Sequence, residues 1–195
     1  RRVVCNEWGE PETLVVEEVP DPEPGPGQVV VAVAAAGVNF VDALFVAGTY
    51  QIKVPPPFTP GSELAGTVTA VGDGVSRVVV GDRVLSSLGL GAFASHVVLS
   101  EEAEVPIPDN LSDGAAAVLV QSYCTAWFAM TRRTTVAPGE KVLVLGAGGG
   151  VGLAAIDVAT ALGAEVIAAA STGEKLALAT AMGARATIAY EQEDL

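Results

Sequence analysis

The chain has 195 residues, half of them hydrophobic, enough to bury a sizeable core in one large or two small domains. Ten basic against 23 acidic residues leave a net charge of -13, which argues against nucleic acid or an anionic membrane surface as a partner, since both require clustered Lys and Arg. Cys5 and Cys124 stand far apart, with neither a disulfide framework nor a CxxC spacing for zinc, a usage that fits a reducing, cytoplasmic setting.

From Arg1 to about Pro108 the signals are short β-type runs separated by turn residues: "TLVVEEV", "QVVVAVAAAGV", "ELAGTVTAV", "GDRVLS" and "AFASHVVL". Between them, "PDPEPGPG" and "VPPPFTPG" are too proline-rich for helix and read as rigid connectors. One short amphipathic helix is predicted over Asn39–Ala47. Residues 1–110 are therefore expected to form a β-rich domain with a helix inserted.

After Pro108 alanine-rich helical stretches alternate with short apolar strands, the pattern of parallel βα units, so residues 111–195 are expected to form a second domain. Ser112 with Asp113 is a reasonable N-cap. The apolar stretch Gly114–Met130 is interrupted by Gln121, Ser122 and Thr125, and reads as a buried helix rather than a membrane span; core positions are expected for Trp127 and Phe128. Strands are predicted at Lys141–Leu145, Glu165–Ala169 and Ala186–Ala189, with helices at Val151–Leu162 and Gly173–Met182. "KVLVL" is nearly all apolar, as expected of a parallel strand covered on both faces.

The turn that follows, "GAGGGVG", places five glycines in seven positions before the chain resumes a helical pattern. Glycine permits tight turns and lets a ligand approach the backbone. The unpaired amides and positive dipole end of the helix then form a site shaped for a pyrophosphate. The register is Ala147-x-Gly149-x-x-Gly152, with Gly150 and Val151 between, and a second strand follows about twenty residues on, a context that favours dinucleotide binding over a turn that merely packs a helix on a sheet. The second strand ends in "ASTGEK" without a carboxylate for a free ribose 2'-hydroxyl. Ser171, Thr172 and Lys175 can instead meet a 2'-phosphate, which points to NADPH over NADH; the alternative is that Ser171 and Thr172 cap the next helix and Lys175 is a solvated charge.

Taken together, "EWGEPETLVVEEVPDPEPGPGQVVV", "AAGVNFVDALFVAGTY", "PGSELAGTVTAVGDGV", "GDRV", "GAFASHVVL", "GAGGGVGLAAIDVATALGA" and "STGEKLALATAMGA" resemble the zinc-independent quinone oxidoreductases of the medium-chain dehydrogenase/reductase superfamily over the whole chain. The resemblance implies an α/β protein: a GroES-like β-rich domain followed by a Rossmann domain, parallel and doubly wound. NADPH and a small quinone, or another activated carbonyl or alkene, would meet in the cleft between the two domains. It places Asn39 and Tyr50 beside the substrate, Thr125 near the nicotinamide carboxamide and Tyr190 beside the adenine and its 2'-phosphate. Asn39 could equally cap its helix and Tyr50 pack under the proline loop. A second tyrosine often found five residues after that asparagine in close relatives is replaced by Leu44. Zinc-dependent relatives use Cys, His and a further Cys or Asp at the catalytic metal; the matching positions are Asn39, Ser62 and Gln121, so no metal is expected.

A Rossmann fold needs a second βαβαβ half, and the sequence stops just after its third strand, at "YEQEDL". The expectation is a partial Rossmann domain whose first strand has an unpaired edge, with dimerisation left to a longer form. Two other functions stay open: an enoyl-thioester or other enone reductase of the same superfamily, and a non-catalytic NADPH-binding protein.

Overall fold

The computed structural model describes residues 1–192. Contacts divide the chain into two compact units, Arg1–Val120 and Gln121–Leu195.

The first unit opens with a hairpin of β1 (Arg2–Val4) and β2 (Val15–Glu17). Next come β3 (Gln28–Gly37), α1 (Phe40–Val46), β4 (Glu63–Val71), β5 (Arg83–Ser87), β6 (His96–Ser100), β7 (Glu104–Pro106) and α2 (Asp113–Ala116). The last five strands form an antiparallel sheet in the order β6-β3-β4-β5-β7. Each β-type run read from the sequence holds one of these strands; β1 and β7, three residues each, carry too little pattern to be seen. Alternation along β3 and β4 sends Val29, Val31, Leu64 and Val68 to one core with Val84 and Leu99, while Ala65 and Leu85 join Ile107, Ala116 and Ala117 in another. Gly66 is fixed by crowding, because a Cβ there would lie 2.2 Å from the Ala32 carbonyl oxygen on the neighbouring strand.

Residues 111–120, expected in the second domain, belong to the first unit. The reason is a polar clamp: the Arg83 guanidinium donates to Asp113 Oδ1 at 2.7 and 3.1 Å and to the Leu111 carbonyl at 2.7 Å, holding the start of α2 against β5. Ser112 caps α2, as its sequence context suggests, accepting from the Ala115 amide.

The second unit takes up α3 (Leu119–Phe128), within which the division falls, and a π-helical turn at Ala129–Arg133. It continues through β8 (Lys141–Leu145), α4 (Gly150–Ala161), β9 (Glu165–Ala170), α5 (Gly173–Ala181) and β10 (Ala186–Ala189). The three strands are parallel, ordered β10-β9-β8, so β8 lies at one edge as expected. The expected covering of both its faces is not found. Val144 is buried, but Leu143 and Leu145 are 50% and 63% exposed, because successive crossovers of one hand put α4 and α5 on the same face of the sheet.

Gly114–Met130 is likewise not one buried helix. It breaks between α2 and α3, and α3 buries only Ser122 and Ala126, followed one turn on by Met130 in the turn beyond. That stripe, one residue in four, leaves Trp127 and Phe128 turned outward and 53% and 55% exposed, a correction to the core positions expected for them.

Glu104 on β7 is buried, and among the described residues neither of its carboxylate oxygens has a hydrogen-bond partner. Burial, and next the nearby Glu101, push its pKa from 4.5 to about 7; Arg77 opposes this and Asp82 adds to it. The folded chain therefore keeps this proton where the unfolded chain has released it. The stability this gives is complete below pH 4.5 and is lost as pH rises to about 7. Glu104→Gln, isosteric with the protonated acid, is expected to raise the thermal midpoint at pH 8 more than at pH 5. Equal shifts at the two pH values, measured by calorimetry, would contradict this account.

Candidate functional site

In the second unit the strand registers decide what meets. Leu145 pairs with Ala169 and Ala170 with Ala189, so Gly146, Ser171 and Tyr190 each follow directly at the carboxyl end of the parallel sheet. This is the edge at which open α/β sheets bind ligands.

The chain leaves β8 through Gly146, whose φ of +65° favours glycine. Ala147 is fully buried, and its amide donates to the Ala169 carbonyl at 3.0 Å, tying the turn to β9. The Gly149 amide donates back to Gly146 at 3.0 Å, and Gly149 is the N-cap of α4 without a side-chain cap. Gly152 packs against the start of the turn. A Cβ there would lie 2.4 Å from the Gly146 carbonyl oxygen and 2.9 Å from the Ala147 Cα, both backbone atoms that cannot swing aside. The outcome is electrostatic: among the described residues, the first-turn amides of Gly150, Val151 and Gly152 have no protein partner. Three aligned donors at the positive end of a twelve-residue helix suit an anion.

Beyond β9, Thr172 caps α5 by accepting from the Lys175 amide at 3.4 Å, so the capping alternative holds for Thr172. Lys175 is exposed, and its Nζ donates to Ser171 Oγ at 3.3 Å. Tyr190 is 42% exposed. The structure thus brings Gly149, Gly150, Val151 and Gly152, with Ser171, Lys175 and Tyr190, to one sheet edge. On α3, Thr125 is exposed and its hydroxyl returns to the Gln121 carbonyl at 2.6 Å. Two residues on this face carried no sequence signal. Ser122 lies close to the first turn of α4, its Oγ 3.1 Å from where a Gly150 Cβ would sit, and the Tyr123 hydroxyl donates to Asp157 at 2.9 Å, bracing α3 on α4.

In the first unit, Asn39 is the N-cap of α1 and forms a capping box with Asp42, whose carboxylate accepts the Asn39 amide at 2.7 Å. Its side-chain nitrogen is also committed, to Glu63 Oε1 at 2.9 Å and Ser62 Oγ at 3.3 Å. Asp42, Ser62 and Glu63 are all buried. Burial, and to a smaller degree the Glu63 carboxylate, raise the pKa of Asp42. Sequence reading missed both acids. An asparagine followed three residues later by an acid was the available sign for Asp42; for Glu63 it was a lone charge opening an otherwise apolar strand. Tyr50 is half-buried, its ring tilted 50° against Phe45 at 4.6 Å, and the described residues offer no partner to its hydroxyl. Gln121, the third position matched to a metal ligand, falls in the other unit.

An antiparallel GroES-like unit followed by a parallel Rossmann-type half with a glycine turn defines the α/β class of this protein. Residues 25–109 match the family described as alcohol dehydrogenase GroES-like domain, and residues 150–195 that described as zinc-binding dehydrogenase. The chain is 43% identical to quinone oxidoreductase-like protein 2 of Rattus norvegicus over its whole length, covering 55% of that protein. It superposes on the crystal structure of Escherichia coli quinone oxidoreductase complexed with NADPH with a TM-score of 0.91 and 32% identity, over 99% of this chain and 59% of that one. A structure described as NAD-dependent alcohol dehydrogenase gives 0.94 and 37%, over all of this chain and 64% of that one. The chain is thus similar over its whole length to members of the medium-chain dehydrogenase/reductase superfamily, and spans somewhat more than half the length of the relatives it matches.

Gly152→Ala tests the geometry of the turn. It forces the first turn of α4 away from Gly146 and is expected to cost about 1 to 3 kcal/mol, read in urea unfolding followed by Trp127 fluorescence. An unchanged midpoint would mean that the turn relaxes freely.

Proposed function

We propose that the protein is an NADPH-dependent oxidoreductase that passes hydride to a quinone, or to a similar activated carbonyl or alkene, without zinc. The observation that carries this reading is the set of three unpartnered amides at the start of α4, on the same sheet edge as Ser171 and Lys175. The amides of Gly150, Val151 and Gly152 fit a diphosphate, and the Ser171 hydroxyl with the Lys175 ammonium fits a ribose 2'-phosphate. Ala147 and Gly149 shape the turn between them, and Tyr190 offers an aromatic face at the adenosine end. The Escherichia coli relative in complex with NADPH supports the same choice of cofactor. When bound, NADPH supplies the hydride.

The chain's own residues hold and shield. Thr125 is proposed to face the nicotinamide carboxamide. For the substrate side, Tyr50 is the better candidate for contact, because its hydroxyl is uncommitted and can orient or protonate an acceptor oxygen. Asn39 is proposed beside the substrate as well, but its side-chain nitrogen is spent on Glu63 and Ser62, so its part is to set the shape of that wall. The donor set argues against zinc on chemical grounds. Amide and hydroxyl groups replace thiolate and imidazole, and an amide nitrogen, which cannot ligate, points at Ser62 and Glu63.

The assay is oxidation of NADPH by the full chain against a panel of quinones, enones and enoyl thioesters. Turnover with quinones above the other classes is the expected result. Tight NADPH binding with no acceptor reduced would reject catalysis. Tyr50→Phe is expected to lower kcat about 10- to 100-fold with a smaller effect on KM; an unchanged kcat would remove Tyr50 from the mechanism.

A further inference from the structure

Gly148 stands at an unspecified position of the Ala147-x-Gly149-x-x-Gly152 register, yet it has a physical requirement of its own. Its φ lies outside the left-handed region, so the backbone there would accept alanine. What excludes a side chain is space. A Cβ at Gly148 would lie 2.5 Å from both Cβ and Cγ of Lys175 and 2.8 Å from its Cδ. These atoms are the root of the lysine, fixed to the first turn of α5, and cannot swing clear as the ammonium end could. Neither of the two glycines that follow touches α5: a Cβ at Gly149 would meet only the Gly146 carbonyl, at 3.5 Å, and one at Gly150 only Ser122.

The lysine stem therefore lies directly on the glycine turn, and its Nζ reaches back to Ser171 at 3.3 Å. Two anion-binding points result, the first-turn amides of α4 and the Ser171–Lys175 pair, and the Gly148 contact sets how closely α5 approaches α4 across them. We propose that Gly148 is a specificity-determining position: by letting the root of Lys175 rest on the turn, it holds that ammonium at the spacing a ribose 2'-phosphate needs. This rests on the NADPH reading above. A cofactor without the 2'-phosphate uses only the amides, so filling the space at Gly148 should penalise NADPH and spare NADH.

The test is a set of dissociation constants for NADPH and NADH, measured by calorimetry on the full chain as wild type, Gly148→Ala, Lys175→Ala and the double variant. Lys175→Ala and Gly148→Ala are each expected to weaken NADPH about tenfold and NADH less than about twofold, and alanine at 148 should cost nothing more once Lys175 is gone. If Lys175→Ala shifts the preference and Gly148→Ala does not, the role of Gly148 is rejected and the NADPH reading stands. If Lys175→Ala weakens both cofactors equally, the 2'-phosphate reading falls and the proposal with it. Equal loss of both cofactors in Gly148→Ala, persisting without Lys175, also overturns it, because the glycine would then serve the turn alone. A second measurement needs no substitution at 148: NMR cross-peaks between the Gly148 Hα protons and the Lys175 stem must be present in the wild type, and their absence overturns the proposal.

Discussion

The second unit depends on one close contact, the seating of the first turn of α4 against Gly146. An α-helix begins with amides that its own carbonyls cannot reach, and most proteins spend a side chain to satisfy them. Here the N-cap is a glycine with nothing to offer, and Gly152 lets the helix start directly against the strand end. The unpaired donors are thus a consequence of packing. They are left facing the carboxyl edge of the sheet, where the ends of β9 and β10 contribute Ser171 and Tyr190 at matching levels.

The sequence was most informative where chemistry is local. Short apolar runs bounded by glycine and proline located the main strands, Asn39 and the Ser112–Asp113 pair located helix starts, and the glycine cluster located the turn into α4, because each is decided by a few neighbouring residues. It was least informative where a partner across the fold decides. Trp127 and Phe128 look like core residues by type, but the helix buries the faces of Ser122 and Ala126, a choice made by Gly150 and α4. The end of the first unit followed from Arg83 gripping Asp113 and Leu111, an interaction across about thirty residues that composition does not reveal. Gly148 went unread for the same reason, since its requirement comes from a lysine on the next helix.

The same distinction reorders the two residues proposed for the substrate side. By type, Asn39 and Tyr50 were equal candidates, each with a bland alternative. Hydrogen bonding separates them: Asn39 is held through its backbone by Asp42 and through its side chain by Ser62 and Glu63, whereas the hydroxyl of Tyr50 stays uncommitted while its ring is anchored on Phe45. A group spent on neighbours positions others; a group fixed at its base and open at its tip can act on a ligand.

That leaves the buried acids of the first unit to be explained. Asp42 and Glu63 lie near the same asparagine, and two carboxylates in a dry setting repel unless donors surround them. The donors here include the backbone N–H of Asn39 for Asp42 and its side-chain N–H for Glu63, with Ser62 and the Gly61 backbone also serving Asp42, so the asparagine offsets part of the cost of its own anchors. Replacing it with an apolar residue would keep the backbone donor to Asp42 but remove the side-chain donor to Glu63 and Ser62. Asparagine at this position thus fixes the local chemistry as hydrogen bonding.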